Sequence, residues 1–329
     1  MTRIALVVSD VDGTMVTKEK VLTDGARAAV QKLRDAGIGF TITSSRPPVG
    51  MQFLVEPLGI TLPIGPFNGS SMVDGQLQVI TQHLIPQAAA ARAIEVLDQY
   101  GVDPWIFTND EWLIKRNDGI YVPREQSTIQ HDPVIVEHFT PYLGRVCKVV
   151  GASDDFPLLE RCEAAMQQAL GDSAVAVRSQ NYYLDITPPG QNKGTFVAAM
   201  AKRLNISLDA VATIGDMQND LPMFKVSGLS VAMGNATDDV KAKATDVTSS
   251  NEEDGFAGAV DLILRRNAGG ERIPSPLRGV SAERSGGRGG GATSSTSRVA
   301  PPPDRLGGRP PMAGESVRQT PQGGGKRAA

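Results

Sequence analysis

The stretch Ile4-Ala5-Leu6-Val7-Val8-Ser9-Asp10-Val11-Asp12-Gly13-Thr14 decides how the chain folds. An apolar run ended by polar and turn residues reads as a buried strand. Side chains at i and i+2 of an extended chain point the same way, so Asp10 and Asp12 can both face the space beyond the strand's carboxyl end. Open α/β sheets bind ligands at that edge. Gly13 lets the chain turn sharply, and Thr14 can tie its hydroxyl to the local backbone. The same residues also read as an ordinary Asp-Gly turn, and this stretch alone leaves both readings open.

Outward from it, the chain repeats the pattern. Thr23 to Ala36 reads as a helix, capped by Thr23, striped by Ala26, Val30 and Leu33, and closed by Gly37. A second apolar strand, Ile38 to Ile42, runs into Thr43-Ser44-Ser45-Arg46 before a helix near Val49 to Leu58. Strand, helix and strand with a short crossover imply a parallel pair, so this turn falls on the same edge as Asp10. It reads as a helix cap, and a cap is compatible with an anion site because helix N-termini present free N–H groups. A third strand, Leu62 to Phe67, is expected to end in Asn68-Gly69 at the same edge.

From Val79 the rhythm changes. A strand to Leu84, a helix from Gln87 to Tyr100 and short strands at Trp105 to Phe107 and Trp112 to Ile114 come first. A loop-rich stretch follows from Asn117 to Pro141, then strands at Val146 to Val150, Ala174 to Val177 and Tyr182 to Ile186, with a helix from Phe156 to Leu170. These read as an inserted α+β domain, 85–188, with its own small antiparallel sheet. His83, His131 and His138 have no His or Cys at a metal spacing and read as surface residues.

The first pattern resumes at Gln191-Asn192-Lys193-Gly194, where Gln191 or Asn192 can cap a helix running to Leu204. Lys193 in its first turn opposes the helix dipole, which favours a ligand-facing role over a stabilising one. A strand from Asp209 to Ile214 runs into Gly215-Asp216-Met217-Gln218-Asn219-Asp220, three metal-capable side chains within five residues that also suit a helix cap and first turn. Strand Leu229 to Met233 ends in Gly234-Asn235-Ala236, and a last helix runs to about Arg266.

Composition sets limits. The chain has 329 residues, room for two domains, with 40% hydrophobic residues. From Asn267 to Ala329, 14 Gly and 8 Pro stand among few large apolar residues, with 10 Lys or Arg against 4 Asp or Glu. Such a segment cannot bury enough surface to offset its ordering entropy, so a disordered tail is expected over 267–329. The net charge of −3 therefore divides into +6 on this tail and −9 on the remainder. An acidic body argues against a nucleic-acid-binding core, while the Arg/Gly character of the tail suits weak, salt-sensitive binding to polyanions. Two cysteines without metal spacing, no membrane-length apolar run and no secretion signal lead us to expect a soluble cytoplasmic protein.

Together, Asp10-Val11-Asp12-Gly13-Thr14, Thr43-Ser44-Ser45-Arg46, Asn68-Gly69, Lys193-Gly194, Gly215-Asp216-Met217-Gln218-Asn219-Asp220 and Gly234-Asn235-Ala236 resemble, in order and strand-end context, the motifs of haloacid dehalogenase (HAD) superfamily phosphatases. More narrowly the chain resembles the Cof-type branch, subfamily IIB. The resemblance covers about Arg3 to Arg266 and implies an α/β fold: a Rossmann-like, doubly wound parallel sheet over 1–84 and 189–266, interrupted by a C2B cap at 85–188. One departure is visible, since Ser45 stands where the family commonly has glycine.

What the resemblance implies chemically is a Mg²⁺-dependent phosphomonoesterase acting on a small phosphorylated metabolite, a sugar phosphate foremost. A carboxylate nucleophile needs a cation between itself and an anionic phosphate. The expected ligands are Asp10, Asp216, Asn219 or Asp220, and the backbone carbonyl of Asp12. Asp10 attacks phosphorus and forms an aspartyl-phosphate, Asp12 is acid and then base, and Ser44, Asn68 and Lys193 bind the phosphate. Trp112, Arg116 and Tyr121 are candidate cap contacts for a sugar. A phosphomutase of the same architecture and a non-catalytic scaffold with a polyanion-binding tail are the alternatives; clustered like charges count against the scaffold.

Overall fold

The computed structural model describes residues 2–269. The expected tail, from position 270 onward, lies outside the described residues. Asn267, assigned to that tail by composition, instead ends a helix. Its side chain clamps the lead into the first strand, accepting from Ile4 N–H at 2.8 Å and donating to the Ile4 carbonyl at 2.9 Å.

Strand β1 (Leu6–Ser9) is wholly buried. Thr23 accepts from the Ala26 N–H at 3.0 Å and caps α1 (Asp24–Asp35), which returns the chain for β2 (Gly39–Ile42) to pair in parallel with β1. Next comes a 3₁₀ turn and the short helix α2 (Gln52–Val55), less than the expected run to Leu58 because Pro57 has no N–H to continue the ladder. The third strand expected over 62–67 does not form. Pro63 and Pro66 cannot donate to a ladder, and Phe67 and Asn68 turn away with φ of 52° and 57°. The segment makes only single bridges, Thr43 to Gly65 and Ile64 to Val73, and leads into the hairpin β3 (Ser71–Val73) and β4 (Val79–Gln82).

The next segment builds a second sheet. Its elements are α3 (Gln87–Tyr100), β5 (Asp103–Phe107), β6 (Trp112–Ile114), α4 (Val122–Ile129), β7 (Val134–Ile135), β8 (Lys148–Ala152), α5 (Phe156–Leu170), β9 (Val175–Gln180) and β10 (Tyr183–Thr187). The strands run in the order β7-β6-β5-β8-β10-β9, antiparallel except for the parallel β6–β7 pair, so the sheet is mixed and not purely antiparallel. The stretch 117–141 expected as loop holds α4, with Pro123 in its first turn, and β7. α3 and α5 cover one face, while Trp105, Phe107 and Trp112 on the other pack against Phe67 and against Val122 and Ile129 of α4.

The chain then completes the first sheet with α6 (Lys193–Arg203), β11 (Val211–Gly215), α7 (Leu221–Val226), β12 (Leu229–Ala232), α8 (Asp238–Lys243), β13 (Asp246–Val247) and α9 (Gly255–Asn267). Its order is β13-β12-β11-β1-β2, all parallel. Alternation along β1 joins its two layers. Val7 packs among residues of α1 and α9, while Leu6 and Val8 pack among residues of α6 and α7. Each such side chain contributes about 1.5–3 kcal/mol on burial. Strand order reverses beside β1, and the register aligns Ser9 with Ile42 and Ile214, so Asp10, Thr43 and Gly215 leave the sheet side by side at the switch point. No helix among the described residues is long and apolar enough to cross a membrane.

Candidate active site

Asp10 is the first residue beyond β1, and its N–H still donates to Ile214 in the adjoining strand. Its Oδ1 accepts from Lys193 Nζ at 2.5 Å and its Oδ2 from the Thr14 hydroxyl at 3.1 Å. Gly13, with φ of +77°, makes this turn possible, since a Cβ there would lie 2.2 Å from Asp216 Oδ2. Of the two possible caps for α6 it is Asn192 that serves, accepting from Gly194 and Thr195 N–H groups. Lys193 is thereby fixed in the first turn, fully buried, and spans from Asp10 to Asp220 Oδ1 at 2.6 Å. Burial disfavours its charge, but Asp10 and Asp220 more than restore it, so Lys193 stays a cation.

The turn after β11 folds around Asp220. Its Oδ2 accepts from the N–H groups of Asp216 at 2.8 Å and Met217 at 2.9 Å, so both its oxygens are engaged. Asp216 Oδ2 accepts from Asn235 Nδ2 at 3.0 Å, and the same amide nitrogen donates to the Gly13 carbonyl at 2.9 Å. Asn235 thus ties two turns together; the sequence reading quoted it within a motif and gave it no task. Carboxylate oxygens of Asp10, Asp216 and Asp220 lie within 4.8 Å of one another. Burial raises Asp10 to about 7, with Lys193 opposing and Asp220 adding to the rise. Burial and then the Asp10 and Asp220 charges raise Asp216 to about 8.

Two buried oxygens at this site have no hydrogen-bond partner, Asp216 Oδ1 and Asn219 Oδ1. Asn219 donates its Nδ2 to Asn68 Oδ1 at 3.1 Å, and the Asn68 N–H donates to the Ser44 carbonyl at 2.7 Å. The expected residues Asp10, Lys193, Asp216, Asn219, Asp220, Asn68 and Ser44 therefore stand in one connected set. Acceptor oxygens without protons to share, beside like charges, are what a hard divalent cation requires, so the donor set fits Mg²⁺.

Asp12 faces the same cavity but is held differently. Arg46 donates Nε to its Oδ2 and Nη2 to its Oδ1, and Lys20 reaches Oδ1 as well. Burial alone would raise its pKa, yet Arg46 and Lys20 together hold Asp12 well below the usual carboxylate range. Arg46 is buried and also donates to the carbonyls of Gly50 and Thr128. Sequence reasoning missed this role; the only signal was the position of Arg46 at the end of a strand-end motif. Ser45, in place of glycine, keeps an ordinary negative φ and is not strained. Asp10 and Asp12 line a cavity of about 100 Å³ with Arg46, Glu125, Lys148 and Tyr183.

The proposed sugar contacts fare less well. Trp112 is buried in an aromatic core, stacked on Phe107 at 5.9 Å. Arg116 is exposed and pairs with Asp103 and Asp118, while Tyr121 stacks on Tyr182.

A family model of haloacid dehalogenase-like hydrolases matches residues 7–260. The chain is 27% identical over 277 residues to the 5-amino-6-(5-phospho-D-ribitylamino)uracil phosphatase of Bacillus subtilis, covering 78% of this chain and 96% of that protein. A solved haloacid dehalogenase-like hydrolase from Bacteroides thetaiotaomicron has a TM-score of 0.73 at 25% identity, over 79% of this chain and 100% of its own. A solved HAD subclass IIB sugar phosphatase has a TM-score of 0.70 over 79% of this chain and 98% of its own, and at 21% identity this likeness speaks for the fold alone.

Proposed function

The chain belongs to the haloacid dehalogenase-like hydrolase family and is a phosphatase of small phosphorylated metabolites; we propose that it is a Mg²⁺-dependent enzyme hydrolysing a sugar phosphate through an aspartyl-phosphate on Asp10. The observation that carries this reading is Asp10 itself, fixed at both oxygens by Lys193 and Thr14 at a sheet switch point, with Asp12 on the same cavity. The names of two similar proteins support the substrate class, one acting on a phosphoribityl compound and the other being a sugar phosphatase.

In this reading Lys193 orients the Asp10 carboxylate for in-line attack on phosphorus. Asp10, Asp216, Asn219 and the Asp12 carbonyl would hold Mg²⁺, which when bound offsets the repulsion between carboxylate and phosphate. Asp220, with both oxygens engaged, serves instead to position Lys193 and the Asp216 turn. The Ser44 hydroxyl and Asn68 receive phosphate oxygens. Asp12 gives a proton to the departing alkoxide and later takes one from the attacking water. Residues 85–188 act as a cap that closes this edge and excludes water.

The test is phosphate release from a panel of phosphorylated metabolites with Mg²⁺, for the natural protein and Asp10→Asn. The variant should fold and lose turnover, and more than about a tenth of the activity remaining would overturn the nucleophile assignment.

A further inference from the structure

The cavity that begins at Asp10 and Asp12 ends against residues that the chemistry above leaves without a task. Glu125 of α4 and Lys148 of β8 line its far wall together with Tyr183. Both charged side chains are buried, 8% and 5% exposed. Such groups are costly to bury without partners. Lys148 Nζ donates to Asp185 Oδ2 at 3.2 Å and to the Ser45 carbonyl at 3.3 Å, which leaves one of its three donors free. Behind it, Asp185 Oδ1 is buried without a partner, and so is the Tyr183 hydroxyl. Burial raises the Glu125 carboxyl, Lys148 pulls it down, and Asp185 raises it again, so the three groups sense one another across the wall.

We propose that Glu125 and Lys148 determine specificity by binding a hydroxyl of the leaving group, so that the substrate is the phosphate ester of a polyol or sugar with a free hydroxyl near the ester carbon. The inference rests on the phosphatase reading above and adds the residues that select the alcohol. A carboxylate needs a donor and an ammonium needs an acceptor; one hydroxyl answers both, whereas a substrate ammonium could not accept from Lys148 and a bare alkyl chain would leave both unpaired. The position suits this role, because a phosphate seated against Asp10 would direct its alcohol past Asp12 into this cavity. Lys148 also ties the wall to the Ser44-Ser45 turn, so the selecting residues and the phosphate site keep a fixed spacing.

The experiment compares kcat/KM for erythritol 4-phosphate and n-butyl phosphate, two four-carbon primary esters in which the bond broken is the same. The attack by Asp10 and the proton work of Asp12 are common to both, so the ratio reads the hydroxyls. The natural protein should prefer erythritol 4-phosphate on the order of 100-fold. Glu125→Leu and Lys148→Met, apolar side chains of similar size, should each cut that preference about tenfold or more. A ratio near one in the natural protein, or a ratio unchanged in Glu125→Leu, would overturn the assignment, and the first of these needs no variant to fold. Turnover of p-nitrophenyl phosphate alongside a ratio of one would remove this inference and leave the phosphatase reading standing. Absence of turnover on every ester with Mg²⁺ would remove both.

Discussion

Arg46 grips Asp12 by both carboxylate oxygens, Nε on Oδ2 and Nη2 on Oδ1, each at 2.7 Å. Its other terminal nitrogen reaches the Thr128 carbonyl in α4 at 2.5 Å. One buried guanidinium thus couples the proposed acid to the helix that carries Glu125.

Removing this partner should be costly. Arg46→Met leaves Asp12 with Lys20 alone and frees two carbonyls, a loss of about 2 kcal/mol at pH 7 by urea denaturation. The Asp12 pKa is depressed on folding, so its pairing stabilises fully above the unfolded value of 3.8 and fades as pH falls through the lower folded value. The gap between the two proteins should therefore narrow from pH 7 to pH 3. A gap that widened in acid would show that Asp12 is not the partner that matters.

Lys193 is the only cation that hydrogen-bonds to Asp10 or Asp220 among the described residues. Lys193→Met leaves two buried carboxylates uncompensated, and a loss of about 3–5 kcal/mol is expected. Phosphate release should fall at least 100-fold because Asp10 loses its orientation. Unfolding curves and single-turnover assays on the same preparation separate the two effects, and near-normal turnover would exclude Lys193 from the chemistry.

Much of this was legible in the sequence, and the exceptions have physical reasons. The helices α1, α3 and α5 announce themselves by caps and apolar stripes, and β1 by its unbroken apolar run. The acidic set was readable because Asp10, Asp216, Asn219 and Asp220 follow strand ends that the parallel crossover rule brings to one edge. The segment 62–67 misleads because its apolar residues look like a strand while Pro63 and Pro66 withhold the hydrogen bonds. α4 hides because its buried face is Val122, Glu125 and Ile129, and a carboxylate breaks the apolar stripe. Glu125 and Lys148 give no local sign of burial, since polar residues on short elements look like solvent-facing ones. The Arg46–Asp12 pair spans 34 positions across the switch point, and only the folded chain brings it together.

Metal binding should depend on pH in a definite direction. Asp10 and Asp216 are raised from 3.8 to about 7 and about 8 in the metal-free fold, chiefly by burial. Raised carboxyl pKa values stabilise the metal-free protein fully below 3.8, and that contribution is lost as pH rises through 7 to 8. Mg²⁺ needs both groups ionised, so its affinity should fall on the order of tenfold to hundredfold from pH 8 to pH 6. The rise in thermal midpoint with added Mg²⁺ should shrink in step. An affinity flat across that range would mean that these carboxylates are not the ligands.

The two tasks given to Asp12 fall in different half-reactions, and its environment treats them unequally. Arg46 and Lys20 hold it as a carboxylate, ready to take a proton from water but not to give one. To act as an acid it must gain a proton when the leaving group draws it off Arg46, which matters for a strongly basic alkoxide and little for p-nitrophenolate. Asp12→Ala should therefore lose sugar-phosphate turnover outright. With p-nitrophenyl phosphate it should release up to about one equivalent of phenolate and then stall, because hydrolysis of the aspartyl-phosphate lacks its base whatever the leaving group was. Rapid-quench measurement on both esters decides the matter. Equal losses without a burst would assign Asp12 to holding Arg46 and the turn around Gly13, and not to moving protons.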